Sequence, residues 1–360
     1  MAKIRNTFDA SKFRKDITKS IDGISVGFDS DPQLWISTGN YVLNYLMSGD
    51  FNRGVPMGRI SMLAGESGSG KSYIASANVV KNAQAQGVFT VIIDTEHAID
   101  EQWLQNLGVD TSEEKLLKVG ISLVDDVVKF ISDFMAGYKK EHGNTPIHEQ
   151  PPVLFVIDSL GMLMTRTEIN QAEAGDIKGD MGRKAKSLKH LVNYTNSMFE
   201  RYNVGAIATN HTYASQDMFD PSPKISGGNG FIFASSVVVA MRKGKLKEDS
   251  DGNKTSEVNG IRAICAVAKT RFNHTAIFKQ VSINIPFDKG MNEFSGLFDF
   301  FEDAGVLVKE GNRYSYTGPS GSFKEFRKNI TDDQLKIVMQ DHPHVFGEKA
   351  KAKLVSEEDV

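Results

Sequence analysis

Gly65, Glu66, Ser67, Gly68, Ser69, Gly70, Lys71 and Ser72 follow the pattern GxxxxGK[ST], set between an apolar run at 60–64 and a helix-like run at 73–85. Each residue type there has a chemical reason. The glycines let successive backbone N–H groups face one anion, the lysine reaches the β and γ phosphates, and the serine hydroxyl serves Mg²⁺. The octapeptide reads as a phosphate-binding loop, and a nucleoside triphosphate is the first ligand it implies.

Three more groups carry candidate chemistry. Residues 153–158 (VLFVID) form an apolar strand ending in Asp158, the arrangement by which P-loop ATPases hold Mg²⁺ through its water shell. Many strands end in aspartate, and it is the position after the phosphate loop that makes this the Walker B strand. The apolar run 91–93 leads into Asp94, Thr95 and Glu96, a carboxylate at the sheet edge where ligands collect in open α/β folds. Glu96 has two readings from spacing, as the group that polarises an attacking water or as a cap on the next helix. Residues 208–212 (ATNHT) end another strand on Asn210 and His211, just before a long loop, so His211 reads as a γ-phosphate sensor; taken without that context, a lone histidine is more often a packed or surface one.

These groups need a sheet to gather them. Apolar runs at 60–64, 89–94, 153–158, 204–209 and 236–241 alternate with amphipathic stretches at 72–86, 125–140 and 182–202, the pattern of a mostly parallel sheet flanked by helices. Gly87 stops the first helix. Runs at 261–269 and 278–285, preceded by a turn at 249–254, extend the sheet with antiparallel strands. Residues 141–152 and 212–230, rich in Gly, Pro, Ser and His, read as loops, and 322–328 and 332–341 as helices. At 360 residues and 40% hydrophobic content the chain can bury a full core. It shows neither a span of about 18 apolar residues nor an apolar signal region, so a cytoplasmic location is expected. One cysteine, Cys265 in an apolar strand-like run, excludes an intrachain disulfide and reads as an inert buried thiol. The net charge of −3 argues against a surface basic all over, while 178–189 and 242–247 are local basic segments.

The ordered set GESGSGKS, DTEHAID, LFVIDSLGML, ATNHTY, SGGNG and VAKTR resembles the RecA class of homologous-recombination ATPases over about residues 35–318. The continuation NHTYASQDMF is most similar to the T4-type phage recombinases (the UvsX type), which carry His where bacterial members carry Gln. The resemblance implies an α/β fold with a RecA-like P-loop core, a mostly parallel central sheet extended by antiparallel strands. It implies an N-terminal polymerisation segment at 1–34, a core at 35–291 with DNA-binding loops at about 167–181 and 213–228, and a small C-terminal α/β region with a charged tail at 292–360.

Position by position, the resemblance implies that residues 65–72 bind ATP, with Lys71 on phosphate and Ser72 and Asp158 serving Mg²⁺. Glu96 would activate water and His211 would report the γ phosphate. ATP would lie between subunits, with Lys269 and Arg271 of one reaching into the site of the next, and Asp100, Trp103 and Phe287 on the adenine side. Met181 would be an apolar wedge in the first DNA loop, followed by Arg183, Lys184 and Lys186. Phe219 and Met218 in the second loop would be wedges or packing residues, and Gly227, Gly228 and Asn229 would let backbone amides approach phosphates. The activity implied is a single-stranded-DNA-dependent ATPase that coats single-stranded DNA as a helical filament and exchanges strands with homologous duplex DNA, in recombination, recombination-dependent replication and repair. Single-strand-binding and mediator proteins are the further partners implied. Two other readings remain, a RecA-like hexameric helicase and a regulatory ATPase that binds no DNA. The hairpin at 244–259 is longer than the bacterial members need, and the residues after 318 match the family faintly.

Overall fold

The computed structural model describes residues 9–20, 31–175, 182–213, 223–226, 229–248, 254–277 and 279–345. Met181, Met218, Phe219, Gly227 and Gly228, most of the turn at 249–254 and the charged tail lie outside the described residues. In chain order the strands are β1 (Trp35–Ile36), β2 (Val55–Pro56), β3 (Ile60–Gly65), β4 (Phe89–Asp94), β5 (Leu116–Gly120), β6 (Val153–Asp158), β7 (Val204–Tyr213) and β8 (Lys224–Ile225). They continue with β9 (Val237–Leu246), β10 (Gly260–Thr270), β11 (Gln280–Pro286), β12 (Val308–Glu310), β13 (Arg313–Gly318) and β14 (Gly321–Glu325).

The apolar runs pair because successive side chains of a strand face opposite sides of a sheet, and here both sides are covered. On β6, Val153, Phe155 and Ile157 join one core cluster while Leu154 and Val156 join the other. On β4, Val91 and Ile93 likewise face away from Ile92. Helices Val124–His142 and Arg183–Phe199 supply Val127, Ile131, Leu188 and Leu191 to the first of these clusters. Each such side chain, fully buried, contributes about 1.5–3 kcal/mol.

The main sheet has the order β11-β10-β9-β3-β7-β6-β4-β5, with β8 on β7. β9, β3, β7, β6, β4 and β5 are parallel, and β10 and β11 run antiparallel beside β9. The α/β expectation is met. Parallel strands bring their carboxyl ends to one edge, and the register there pairs Gly65 with His211 and Asp94 with Asp158. Residues distant in sequence thus become neighbours through strand order alone.

The structure departs from the sequence reading in several places. β5 went unread because only Leu116 of its residues is buried, so no apolar run marks it. Residues 321–325 form β14, not a helix: Phe323 pairs with Tyr316 across the ladder, ring centroids 5.6 Å apart, which fixes strand alternation over helical spacing. β7 and β9 run on to Tyr213 and Leu246, past the ends of their apolar stretches. The span given to the first DNA loop begins as a helix, Arg166–Glu173, set by a capping box of Thr165 and Glu168. The second span returns as β8 and then helix Asn229–Ala234. Among the described residues no helix is long and apolar enough to cross a membrane.

Cys265 on β10 is fully buried, and burial pushes its thiol up to about 12. It should resist thiol reagents at pH 8 in the folded protein and react stoichiometrically once the chain is unfolded in guanidinium, read by absorbance with Ellman's reagent.

Candidate active site

The phosphate loop is shaped by what lies against it. Gly68 and Gly70 take positive φ of 74° and 91°, conformations that side chains other than glycine rarely adopt. A Cβ at Gly65 would stand 2.2 Å from the Met241 carbonyl, so β9 can pass close only because this residue is glycine. The helix that follows opens π-wound over Tyr73–Val79 and continues as Val80–Ala85, with Gly87 (φ 76°) ending it. Its N-terminal amides and dipole face the loop, an arrangement that favours an anion.

Lys71 is 6% exposed, and its ammonium donates to the Gly65 and Glu66 carbonyls at 2.9 and 2.8 Å. Burial holds its pKa below the ordinary lysine value, against the opposing charges of Asp158, Glu96 and Glu66. The Ser69 hydroxyl, buried in the same loop, has no protein partner. A loop with an orphan hydroxyl and a buried cation fits an oxyanion such as phosphate.

Asp158 ends β6 with 4% exposure. Its carboxylate accepts from Ser76 Oγ of the π-wound segment at 2.9 Å and from Thr209 Oγ1 of β7. Neither hydroxyl was read from the sequence, although Thr209 sits inside the ATNHT motif. A carboxylate has about four lone-pair sites, so these two bonds leave capacity for a hydrated cation.

Glu96 Oε1 lies 2.9 Å from His211 Nε2 and accepts from Ser159 Oγ at 2.8 Å. The cap reading of Glu96 is thereby replaced: Asp100 caps the next helix, Glu101–Asn106, by accepting from the Trp103 N–H at 2.9 Å. Between them His97 adopts φ 53°, its ring against Gly120, where a Cβ would be 2.8 Å away, and its Nε2 3.0 Å from Ser122 Oγ. A cavity of about 370 Å³ opens here, lined by Ser72, Asp94, Glu96, Ala98, Ile99, Asp100, Trp103 and Asp158. It gathers the metal-side, water-side and base-side residues read from sequence, while Phe287, 69% exposed after β11, stays outside its lining.

His211 also anchors the loop beyond it. Its carbonyl accepts from the Ser226 N–H at 2.9 Å, while Asn210 bridges the His211 N–H and the Ser226 carbonyl, both at 2.9 Å. The segment that leaves β7 thus returns hydrogen-bonded to the residue that touches Glu96.

Lys269 and Arg271 lie elsewhere. The register aligns Thr270 with Val237 and Val237 with Ser61, which is the opening end of β3, whereas Lys71 follows its closing end. Lys269 donates to the Ile232 and Phe233 carbonyls, and burial together with Arg271 holds its ammonium below the ordinary value. Arg271 lines a second cavity of about 400 Å³ with Arg59, Lys189, Phe233 and Ser236.

Arg183, Lys184 and Lys186 occupy the start of helix Arg183–Phe199, whose first turn has no acidic residue. Lys184 reaches Glu168 at 3.9 Å, which joins this helix to Arg166–Glu173. Cations at a helix N-terminus oppose its dipole, so an anion bound there would relieve the conflict. Asn229 opens helix Asn229–Ala234.

The chain is similar to several known proteins. Residues 25–131 match the RecA N-terminal domain. The chain is 29% identical over 264 residues to protein RecA of Cutibacterium acnes, covering 73% of this chain and 69% of that protein. It is 28% identical over 279 residues to the recombination and repair protein of Enterobacteria phage T4, covering 75% of this chain and 64% of the relative. Against protein RecA of Chlorobium chlorochromatii (strain CaD3) it is 26% identical over 317 residues, 86% of this chain and 80% of the other. The RecA-class resemblance carried by the motifs is thus shown, the phage protein standing among several relatives of near-equal identity.

Asp94, 1% exposed, was not singled out as a functional residue in the sequence. Burial raises its pKa, but hydrogen bonds from the Ile99 N–H, Lys118 and the Ala98 N–H outweigh that and hold it below the ordinary value of 3.8. A carboxyl depressed on folding adds stability that is present above the unfolded value and is lost as pH falls through the folded one. Asp94→Asn should therefore cost about 1–3 kcal/mol at pH 7 in urea unfolding, and the difference from wild type should shrink below about pH 4.

Proposed function

We propose that this chain is an ATP-dependent DNA recombinase that assembles as a helical filament on single-stranded DNA and exchanges strands with a homologous duplex. The observation that carries the reading is the separation of two half-sites. The phosphate loop, Glu96, Asp158 and His211 share one edge of the sheet, while Lys269 and Arg271 lie at the opposite edge, where in this reading another copy's phosphates would meet them. A head-to-tail interface of this kind repeats into a ring or a filament. The name of the phage relative, a recombination and repair protein, favours recombination over a ring motor, and for that role we take the filament.

In this reading residues 65–72 cradle the triphosphate of ATP, and Lys71 leaves the Gly65 and Glu66 carbonyls for the phosphates. Ser72 and Asp158, which share the cavity lining, would hold Mg²⁺, which when bound neutralises charge on the phosphate oxygens. Glu96 orients the attacking water and takes its proton, its free oxygen aimed by the Ser159 and His211 contacts. The neighbour's Lys269 and Arg271 stabilise charge in transit, so turnover depends on assembly. Loss of the γ phosphate alters the Glu96–His211 contact, and the Ser226 bonds carry that change to the second loop. Asp100 and Trp103 flank the adenine side, with Phe287 at its margin. Arg183, Lys184 and Lys186, with the loop residues Met181, Phe219, Gly227, Gly228 and Asn229, form the DNA side, where sequence-independent grip leaves base edges free to test homology. Residues 1–34 serve polymerisation, 35–291 form the ATPase core and 292–360 a C-terminal appendage. Mediator and single-strand-binding proteins are the partners such a filament requires, in the cytoplasm where DNA is exchanged.

Lys71→Ala and Arg271→Ala should each abolish DNA-dependent hydrolysis when pure. A one-to-one mixture should recover about a quarter of wild-type turnover, since one head-to-tail interface in four then unites an intact loop with an intact arginine. Normal turnover by pure Arg271→Ala would overturn the arrangement. Negative-stain microscopy with long single-stranded DNA and a non-hydrolysable ATP analogue should show filaments; closed rings would assign the chain to the helicases, and unassembled particles to a regulatory ATPase.

A further inference from the structure

β3 ends at Gly65, opposite Met241, yet β9 runs on through Leu246. Lys243 in that overhang is paired with Ala263 of β10 and has no β3 residue on its other flank. Its backbone N–H instead donates to Glu66 Oε1 at 2.9 Å, and its ammonium donates to the Ser67 carbonyl at 3.0 Å. Two residues of the phosphate loop are thereby tied to a strand more than 170 positions away. The sequence reading treated this lysine only as part of a basic segment.

The bond to Ser67 has a directional consequence. That carbonyl shares a peptide unit with the Gly68 N–H, the unit is trans, and in a trans peptide C=O and N–H point in opposite directions. An ammonium holding that oxygen therefore turns the Gly68 N–H to the side away from Lys243. Gly68 then takes φ 74°, the left-handed step by which successive amides converge on one anion. A Cβ at Gly68 would lie 3.9 Å from the Lys243 ammonium, so the cation sits against the apex of the loop. Its charge is also felt at Lys71, where it adds to burial in holding that pKa down.

We propose that Lys243 is a positioning residue for the nucleotide site of its own chain, presetting the Ser67–Gly68 peptide so that its amide faces the inner phosphates of ATP or ADP. It acts through the loop and does not touch the reacting atoms. The inference rests on the nucleotide-site reading above.

The test is titration of a fluorescent ADP and a fluorescent ATPγS into full-length wild type, Lys243→Ala, Lys243→Arg and Lys71→Ala with Mg²⁺, together with DNA-dependent turnover. Lys243→Ala should bind both nucleotides about tenfold more weakly and by the same factor, raise KM for ATP to match, and keep kcat within about twofold. Lys243→Arg, which retains a cationic donor, should restore affinity to within about threefold. Unfolding midpoints without nucleotide check that the variants fold, and Lys243→Met, which keeps the aliphatic stem, replaces the alanine if it does not. Wild-type affinity in Lys243→Ala, a loss confined to ATPγS, or a fall in kcat at unchanged KM would each overturn the proposal. Failure of wild type itself to bind nucleotide would instead overturn the nucleotide-site reading.

Discussion

A carboxylate taken out of water must be hydrogen-bonded, and Asp158 meets that demand with hydroxyls from two other elements, Ser76 on the helix after the phosphate loop and Thr209 on β7. The two bonds fix the helix, β6 and β7 relative to one another at the edge where the ligand sits. Everything else at the site inherits that geometry. Ser159, next along from Asp158, clasps Thr95 through reciprocal bonds of 2.8 and 2.7 Å and donates to Glu96, while β7 carries His211 to the same carboxylate. An unsatisfied Asp158 would cost more than the bonds it makes, because the penalty of a buried unpaired charge falls due in full. The site is therefore braced by its own polar chemistry as well as by the apolar sheet beneath.

Strand order decides which chemistry is shared and which is delegated. Parallel pairing of β3, β7, β6 and β4 collects four loop beginnings on one edge, but β10 runs antiparallel and delivers Lys269 and Arg271 to the other. A single copy cannot fold these cations back across the sheet without breaking the β9–β10 ladder. In the function proposed above, a site completed only through the next copy would make hydrolysis report on assembly.

The nucleotide half of this was legible in the sequence because its residues announce themselves by local spacing. GESGSGKS fixes a loop between strand and helix, and VLFVID is an apolar run with one terminal charge. What escaped was set by contacts between distant segments. Ser76 and Thr209 are ordinary hydroxyls until β6 places Asp158 between them. Asp94 is one carboxylate among several in DTEHAID until Lys118 of the polar edge strand β5 reaches it at 3.1 Å. Glu96 was open to a cap reading on spacing alone, and the fold gives that cap to Asp100, beyond the turn at left-handed His97. Residues 322–328 read as helix because S-F-K-E-F carries no breaker, and the β-ladder that pairs Phe323 with Tyr316 is set by chain outside that window.

Charge distribution follows the same logic. A chain with a net charge of −3 does not draw in a polyanion by its overall field; it must concentrate cations locally. Helix Arg183–Phe199 does so by opening on Arg183, Lys184 and Lys186 against its own dipole, an arrangement unfavourable in isolation. The partial positive charge of the helix end and the side-chain cations add at one place, so a phosphate backbone laid across it relieves both at once. In the proposed DNA role, that unfavourable charge arrangement would be the physical counterpart of affinity, whereas in the phosphate loop Lys71 and Lys243 are both tied to backbone carbonyls.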